Sequence, residues 1–166
     1  MMRCRWNRRT MNRCLRSILM GGALGGAGDL AFALTNAAVH DKTPMFLLQL
    51  IASGAFGQAA FAGGLPMAMA GTAFHFVLSW LWACMFVAAS RRLPWLVAKP
   101  WLSAFAFGTL VFLTMRLVVL PLSAFPYPVT FKPVATALDL MSHAFLFGVP
   151  IAWAVQKALL TVPAGA

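Results

Sequence analysis

Acidic residues are nearly missing from this chain: three in 166 positions, against thirteen Lys and Arg. Charged residues of both signs amount to 10%, where a soluble domain carries roughly 25%. That shortage excludes an ordinary water-soluble globule, and the high apolar content excludes a disordered chain. Cysteine is scarce too. Cys4, Cys14 and Cys84 form no CxxC and show no metal-ligand spacing, which excludes a disulfide scaffold and reads as three unpaired thiols. Nucleophile elbows, paired catalytic carboxylates and an ordered Ser/His/Asp set are all lacking, so no catalytic residue is assigned and the balance is against an enzyme.

What the chain has is apolar length: 61% of its residues are hydrophobic. Four stretches, 17–39, 67–89, 101–121 and 134–156, approach the ~20 residues that cross a bilayer. A fifth, 45–64, follows Pro44, contains Gly54 and Gly57, and runs into Gly63-Gly64-Leu65-Pro66. Lys and Arg are retained on the cytoplasmic side of a membrane, and this arbitrates. With four spans, Arg3, Arg5, Arg8, Arg9, Arg13, Arg16, Arg91, Arg92, Lys99 and Lys157 lie inside, while Lys42 and Lys132 lie outside. A fifth crossing would move Arg91, Arg92, Lys99 and Lys157 outside and remove that asymmetry. The expectation is therefore an all-α membrane protein: four transmembrane helices in a bundle and one short interfacial or re-entrant helix, 45–62, on the outer face.

This layout divides the chain into a basic cytoplasmic tail, 1–16, a membrane domain, 17–157, and a short cytoplasmic tail, 158–166. The membrane is a bacterial inner membrane, with anionic lipid at its cytoplasmic face. Trp95, Trp101 and Trp153 lie at that interface, as an aromatic belt would. The basic residues flank spans instead of forming one face with interleaved aromatics, which excludes nucleic acid as a partner. A basic lead, an apolar stretch and Ala31-Phe32-Ala33 imitate a signal peptide, but Asp29 and the continuation to Val39 argue against cleavage. Met1, Met2 and Met11 are all possible starts.

The residues that do not suit lipid carry any function. Gly21, Gly22, Gly25 and Gly26 form two overlapping GxxxG pairs, which allow close approach of a neighbouring helix. They lie within one apolar helix, not after a strand, so they are not a phosphate loop. At 100° per residue, Gly22, Gly25, Gly26, Asp29 and Asn36 share a face. So do Gly71, His75, Ser79 and Trp82; Thr109 and Arg116; and Asp139, Ser142, His143 and Pro150. Counting ~1.5 Å per residue from the outer ends, Arg116 and Asp139 lie roughly 7–8 Å deep. Asp29, His75 and His143 lie roughly 13–15 Å deep on the same rise. The expectation is an Arg116–Asp139 pair above a deeper layer of Asp29, His75 and His143.

Three roles compete for this cluster. As a structural or accessory subunit, in a homo-oligomer or with a membrane partner protein, the chain would hold these groups dry and paired. Gly22 and Gly26 would then face the partner. As a transport-type protein it would open an outer-half polar cavity to a small solute or proton, with Arg116 attracting an anion. As a metal or haem protein it would use His75, Asp139 and His143, or the two imidazoles as axial ligands. The structural role leads, and no cofactor is predicted. Pro150 frees the carbonyl of Leu146, so the last helix is expected to kink there.

The segments LLQLIASGAFGQAAFAGG, RRLPWLVAKP and VVLPLSAFP, followed by Asp139, His143 and Gly148-Val149-Pro150-Ile151, resemble a group of small proteobacterial inner-membrane proteins. That group is in turn loosely similar to the YagU-type inner-membrane proteins. The resemblance spans 17–157, leaves the Arg-rich lead outside, and implies a four-helix inner-membrane topology without assigning any residue a role.

Overall fold

The computed structural model describes residues 8–160; Arg3, Cys4 and Arg5 of the basic tail, and residues 161–166 of the opposite tail, lie outside the described residues. Every regular element among the described residues is helical. Helix α1 is Arg8–Val39, and α2 is Pro44–Phe56, continued by a 3-10 segment, Gly57–Ala62. Helix α3 is Gly64–Arg92 and α4 is the single turn Trp95–Ala98. Helices α5, Pro100–Leu122, and α6, Pro133–Leu160, complete the chain. Each of the last two contains a π-helical stretch, Met115–Val119 and Ser142–Gly148.

Two boundaries differ from the sequence expectation. The first helix begins at Arg8, inside the stretch assigned to the tail. Ser17 does not cap it: its hydroxyl donates to the carbonyl of Cys14 one turn back (2.8 Å), within the helix. The second difference is length. Five helices, Pro44–Ala62 among them, are long and apolar enough to cross a membrane, where four and one shorter helix were expected. Gly57 does not end that segment; at φ 58° it changes the winding from α to 3-10 and the chain continues. The start of α2 is conventional. Thr43 accepts the N–H of Phe46 (3.1 Å) and Pro44 fills the first position, where no donor is needed.

Serines are buried among the apolar core residues, while large apolar side chains cover the outside. Ser53, Ser79, Ser103 and Ser142 are buried, while Leu24, Met69, Trp101 and Leu110 are exposed. This is the arrangement expected where lipid, and not water, surrounds the helices. Within it, α1 runs antiparallel to both α3 and α6. Gly22 and Gly26 lie against Trp80 and Ser79 of α3, and Gly21 and Gly25 against Ile151 and the Phe147 carbonyl of α6. The two GxxxG pairs thus serve two different neighbours in the same chain. Gly22 and Gly26 are covered by α3 and form no partner-facing surface, a correction to the expectation above.

Helices α5 and α6 approach as closely, at residues the sequence reading passed over. A Cβ on Gly108 would meet the carbonyl of His143, and one on Gly148 would meet the carbonyl of Ala104. Ala104/Gly108 and Ala144/Gly148 are matched small-xxx-small pairs that cross one another. Beside them Phe86, Phe107, Val111, Phe147, Ile151 and Val155 pack together as the apolar core.

Arg91, Arg92, Lys99 and Lys157 mark one end of the bundle. There Gln156 donates to the carbonyl of Val97 (3.1 Å), and the Lys157 ammonium lies 3.6 Å from the centre of the Trp153 ring. Helix α2 lies towards the other end. Its Leu48 and Ala52 backbones meet Gly71, Gln49 donates to the carbonyl of Gly64 (3.1 Å), and Phe56 stacks on Phe74 (5.8 Å). The carbonyl of Gly54 accepts the N–H of Ala124 (2.9 Å), just past the end of α5. The loop 123–132 completes this end without helix, as its prolines require.

The helix crossings generate a graded prediction. Gly108→Ala and Gly148→Ala each place a methyl against backbone, which cannot rotate away, and should lower stability by about 1–3 kcal/mol. Gly54→Ala, whose new Cβ would have Ser123 at 3.9 Å as its nearest atom, should leave it unchanged. Thermal unfolding in detergent distinguishes the two classes; equal effects at all three positions would refute the assignment of the crossing.

Candidate functional site: a polar chain at the floor of a cavity

Helix α6 contributes the centre of the site. Asp139 lies in the last turn of its α-helical first part, Pro133–Met141, and Ser142 and His143 open the π-helical stretch that follows. A π turn inserts one residue per turn and rotates all that follows it. Prolines lie just beyond both π stretches, Pro121 after Met115–Val119 and Pro150 after Ser142–Gly148. Lacking an N–H, each leaves the preceding turn without its usual donor. In α5 the ladder shifts register, with the N–H of Leu120 bonding the carbonyl of Met115 five residues back. The sequence reading expected a kink from Pro150; the structure records a change of winding before Pro150 and before Pro121. Arg116 lies in one π stretch and His143 in the other, so the wider turns position both.

Four of the five expected residues join into one chain of polar contacts. Arg116 donates to Oδ2 of Asp139 from Nη2 (2.8 Å) and from Nε (3.2 Å). Its Nη1 donates to the carbonyl of Thr130 in the loop (2.6 Å), and its faces meet the rings of Phe112 and Phe131 at 5.5 and 5.6 Å. His143 donates from Nδ1 to the backbone carbonyl of Asp139 (2.9 Å). The same nitrogen lies 3.3 Å from Oδ1 of Asp139 and 3.6 Å from Oδ1 of Asp29. Ser142 donates to that Asp29 oxygen (2.8 Å). Since every neighbour of Nδ1 is an acceptor, Nδ1 carries the hydrogen.

The expected two layers are therefore one. Arg116–Asp139 continues without a break through His143 to Asp29, because Asp139 and His143 stand one turn apart on α6 and α1 brings Asp29 up to them. His75 departs from the expectation. Its Nε2 donates to the carbonyl of Gly26 (2.8 Å), binding α3 to α1 at the glycine crossing. Among the described residues no three His, Cys, Asp or Glu side chains are grouped to hold a metal ion, so His75, Asp139 and His143 do not form the ligand set considered above.

Arg116, Asp139 and His143 line a cavity of about 560 Å³. Its walls are mainly apolar: Phe46 and Leu50 of α2, Phe112 and Leu120 of α5, and Phe125 and Tyr127 of the loop. Rings fix these walls to one another. Phe46 stacks on Phe61 (5.5 Å), which meets Tyr127 edge-on (6.0 Å), and Tyr127 meets Phe125 (5.8 Å). An outer-half polar cavity was one of the alternatives read from the sequence, but its walls were not legible there, since the lining comes from α2, α5, α6 and a loop. Only Arg116 and its two partners on α6 were visible, as charges out of place in apolar runs.

Arg116 and Asp139 keep side-chain exposures of 21% and 31%, so the pair faces the cavity and is not sealed in the core. Removing one partner leaves the other in a weakly polar site. Arg116→Leu and Asp139→Leu should each lower stability by about 3 kcal/mol, and the double variant should recover at least half of the summed loss. Unfolding of the three variants measures this; strictly additive losses would mean that the two side chains act independently. The chain matches no family model, no curated protein and no solved structure, so the reading of this site rests on its own geometry.

Proposed function

We propose that this chain is a four-span protein of a bacterial inner membrane that binds a small solute in the cavity floored by Arg116, Asp139 and His143. One observation carries the proposal: the out-of-place charges converge on a hollow of about 560 Å³. Small-molecule sites have this size and this make-up, apolar walls with a few converging polar groups. A purely structural lock has no need of the hollow.

The topology of the proposal rests on charge and on the contacts of α2. The basic end carries Arg91, Arg92, Lys99 and Lys157 and faces the cytoplasm with both termini, against anionic headgroups. Helix α2 then covers the outer end, where its partners Gly71, Phe74 and Ala124 lie. In this reading Pro44–Ala62 does not cross the bilayer, although its length allows it, and it forms one wall of an outward-facing pocket. The resemblance to small proteobacterial inner-membrane proteins agrees with this placement. The chain has no assigned chemistry of its own; it binds or passes a solute.

The structural reading keeps one observation on its side. Each polar group of the chain from Arg116 to Asp29 already has a partner, which is what a lock between α1, α5 and α6 requires. Water access separates the two readings. Leu50→Cys places a thiol on the cavity wall, Arg92→Cys one at the basic end, and Phe145→Cys one on the exposed apolar surface. With the native cysteines removed, a membrane-impermeant maleimide added from the periplasmic side should label Leu50→Cys only. It should reach Arg92→Cys after the membrane is opened, and leave Phe145→Cys unlabelled in both cases. An unlabelled Leu50→Cys in folded protein would eliminate the open cavity, and external labelling of Arg92→Cys would overturn the four-span topology.

A further inference from the structure

Taking the cavity as a binding site, we propose that its occupant is an uncharged molecule: an apolar body with one head that accepts a hydrogen bond from Nε2 of His143. This replaces the anion that Arg116 alone would suggest.

The charges of the site cancel among themselves. Arg116, Asp139 and His143 line the cavity, and Asp29 lies directly behind, its Oδ1 3.6 Å from Nδ1 of His143. Oδ1 of Asp139 lies 3.3 Å from the same nitrogen. Two carboxylates at one nitrogen favour the imidazolium, so two cations stand against two anions. Arg116 is engaged on both edges, through Nε and Nη2 with Asp139 and through Nη1 with Thr130. An anion would have to displace Asp139 to reach it, and a cation would have to displace Arg116 to reach Asp139. Each charge of the floor thus has its counter-ion within the site, and a further charge without one is costly among apolar walls.

The far side of the imidazole supplies the second, independent observation. His143 hydrogen-bonds through Nδ1 alone, and its ring meets Phe112 edge-on at 5.7 Å and Phe147 at 6.2 Å, which fixes its orientation. Among the described residues the one enclosed side-chain nitrogen or oxygen without a partner is Oγ1 of Thr136. Nε2 of His143 also lacks a partner, so it is not enclosed. With 15% of its side chain exposed and a place in the cavity lining, His143 turns this atom to the hollow. An imidazolium carries a hydrogen there and offers no lone pair, so the head that it receives is an acceptor. The apolar body of the solute lies against Leu50, Leu120, Phe125 and Tyr127.

Tyr127 is the single tyrosine of the chain and lines the cavity, so ring-labelled tyrosine gives one NMR signal that reports occupancy. The full chain, in nanodiscs of zwitterionic lipid, is titrated with 4-phenylbutan-2-one, with its charged counterpart 3-phenylpropanoate and with 3-phenylpropylammonium. The ketone should shift the Tyr127 signal saturably and bind about tenfold more tightly than either ion. His143→Leu should weaken the ketone about fivefold, the loss of one hydrogen bond. If that variant does not fold, ketone labelled with carbon-13 at its carbonyl reads the same contact on the unaltered chain. The bound carbonyl signal should lie downfield of its position in protein-free nanodiscs. Either ion binding as tightly as the ketone would refute the uncharged occupant and leave the binding cavity standing. A saturably bound ketone with an unmoved carbonyl signal would refute the contact with Nε2. Absence of saturation by all three would remove the cavity reading and this inference with it.

Discussion

Close approach of helix backbones is the constraint on which the rest of this structure depends. In lipid, helices gain nothing from hiding apolar surface from one another, so contact requires that backbones come near enough for dispersion and polar groups to act. Asp29 reaches Ser142 and His143 because α1 meets α6 at Gly21, Gly25 and Gly28, where any Cβ would press on α6. Arg116 reaches Asp139 because α5 and α6 cross at Gly108 and Gly148. His75 reaches the carbonyl of Gly26 through the same kind of contact between α1 and α3. The polar chain is thus a product of the glycine crossings, and it fixes their register in return.

Proline acts with glycine here, by a different route. Neither Pro121 nor Pro150 breaks its helix; each is preceded by a π stretch in which the hydrogen-bond ladder widens. In a low-dielectric surrounding an unbonded backbone group is expensive, so the ladder rearranges instead of opening. The wider turn rotates side chains off the regular helical face, and the two cluster residues Arg116 and His143 lie within these turns. Carbonyls of this stretch are also close to other helices: that of Leu146 lies toward Gly28, and that of His143 toward Gly108. Local irregularity and tertiary contact are therefore one feature seen at two scales.

At one end of the bundle the helices do not close on each other. There α2, the loop 123–132 and the ends of α5 and α6 leave a hollow, floored by charge and walled by rings. Arg116 connects its parts, holding Asp139 on α6 and Thr130 on the loop at once. The guanidinium that looks like a lure for anions is an internal tie.

Much of this was written in the residues themselves. The helical class followed from apolar runs too long for anything else, and the pairing of Arg116 with Asp139 from two charges at one depth. The glycine crossing of α1 was legible because Gly21, Gly22, Gly25 and Gly26 recur at helical spacing. The same rule applied to Ala104/Gly108 and Ala144/Gly148 would have found the second crossing, where the signal was present but less dense. Which neighbour each glycine serves was not legible, since spacing determines a face and not its partner. His75 shared depth with His143 yet turned to Gly26, because depth along a helix says nothing of the direction round it. The hollow was decided by tertiary structure alone: Phe46, Leu50, Phe112 and Tyr127 are ordinary apolar residues in sequence, and they become walls only when α2 and the loop are folded over the end of the bundle. Periodicity along one helix is a local property that sequence determines, whereas a cavity is the space left between elements, and no single element carries it.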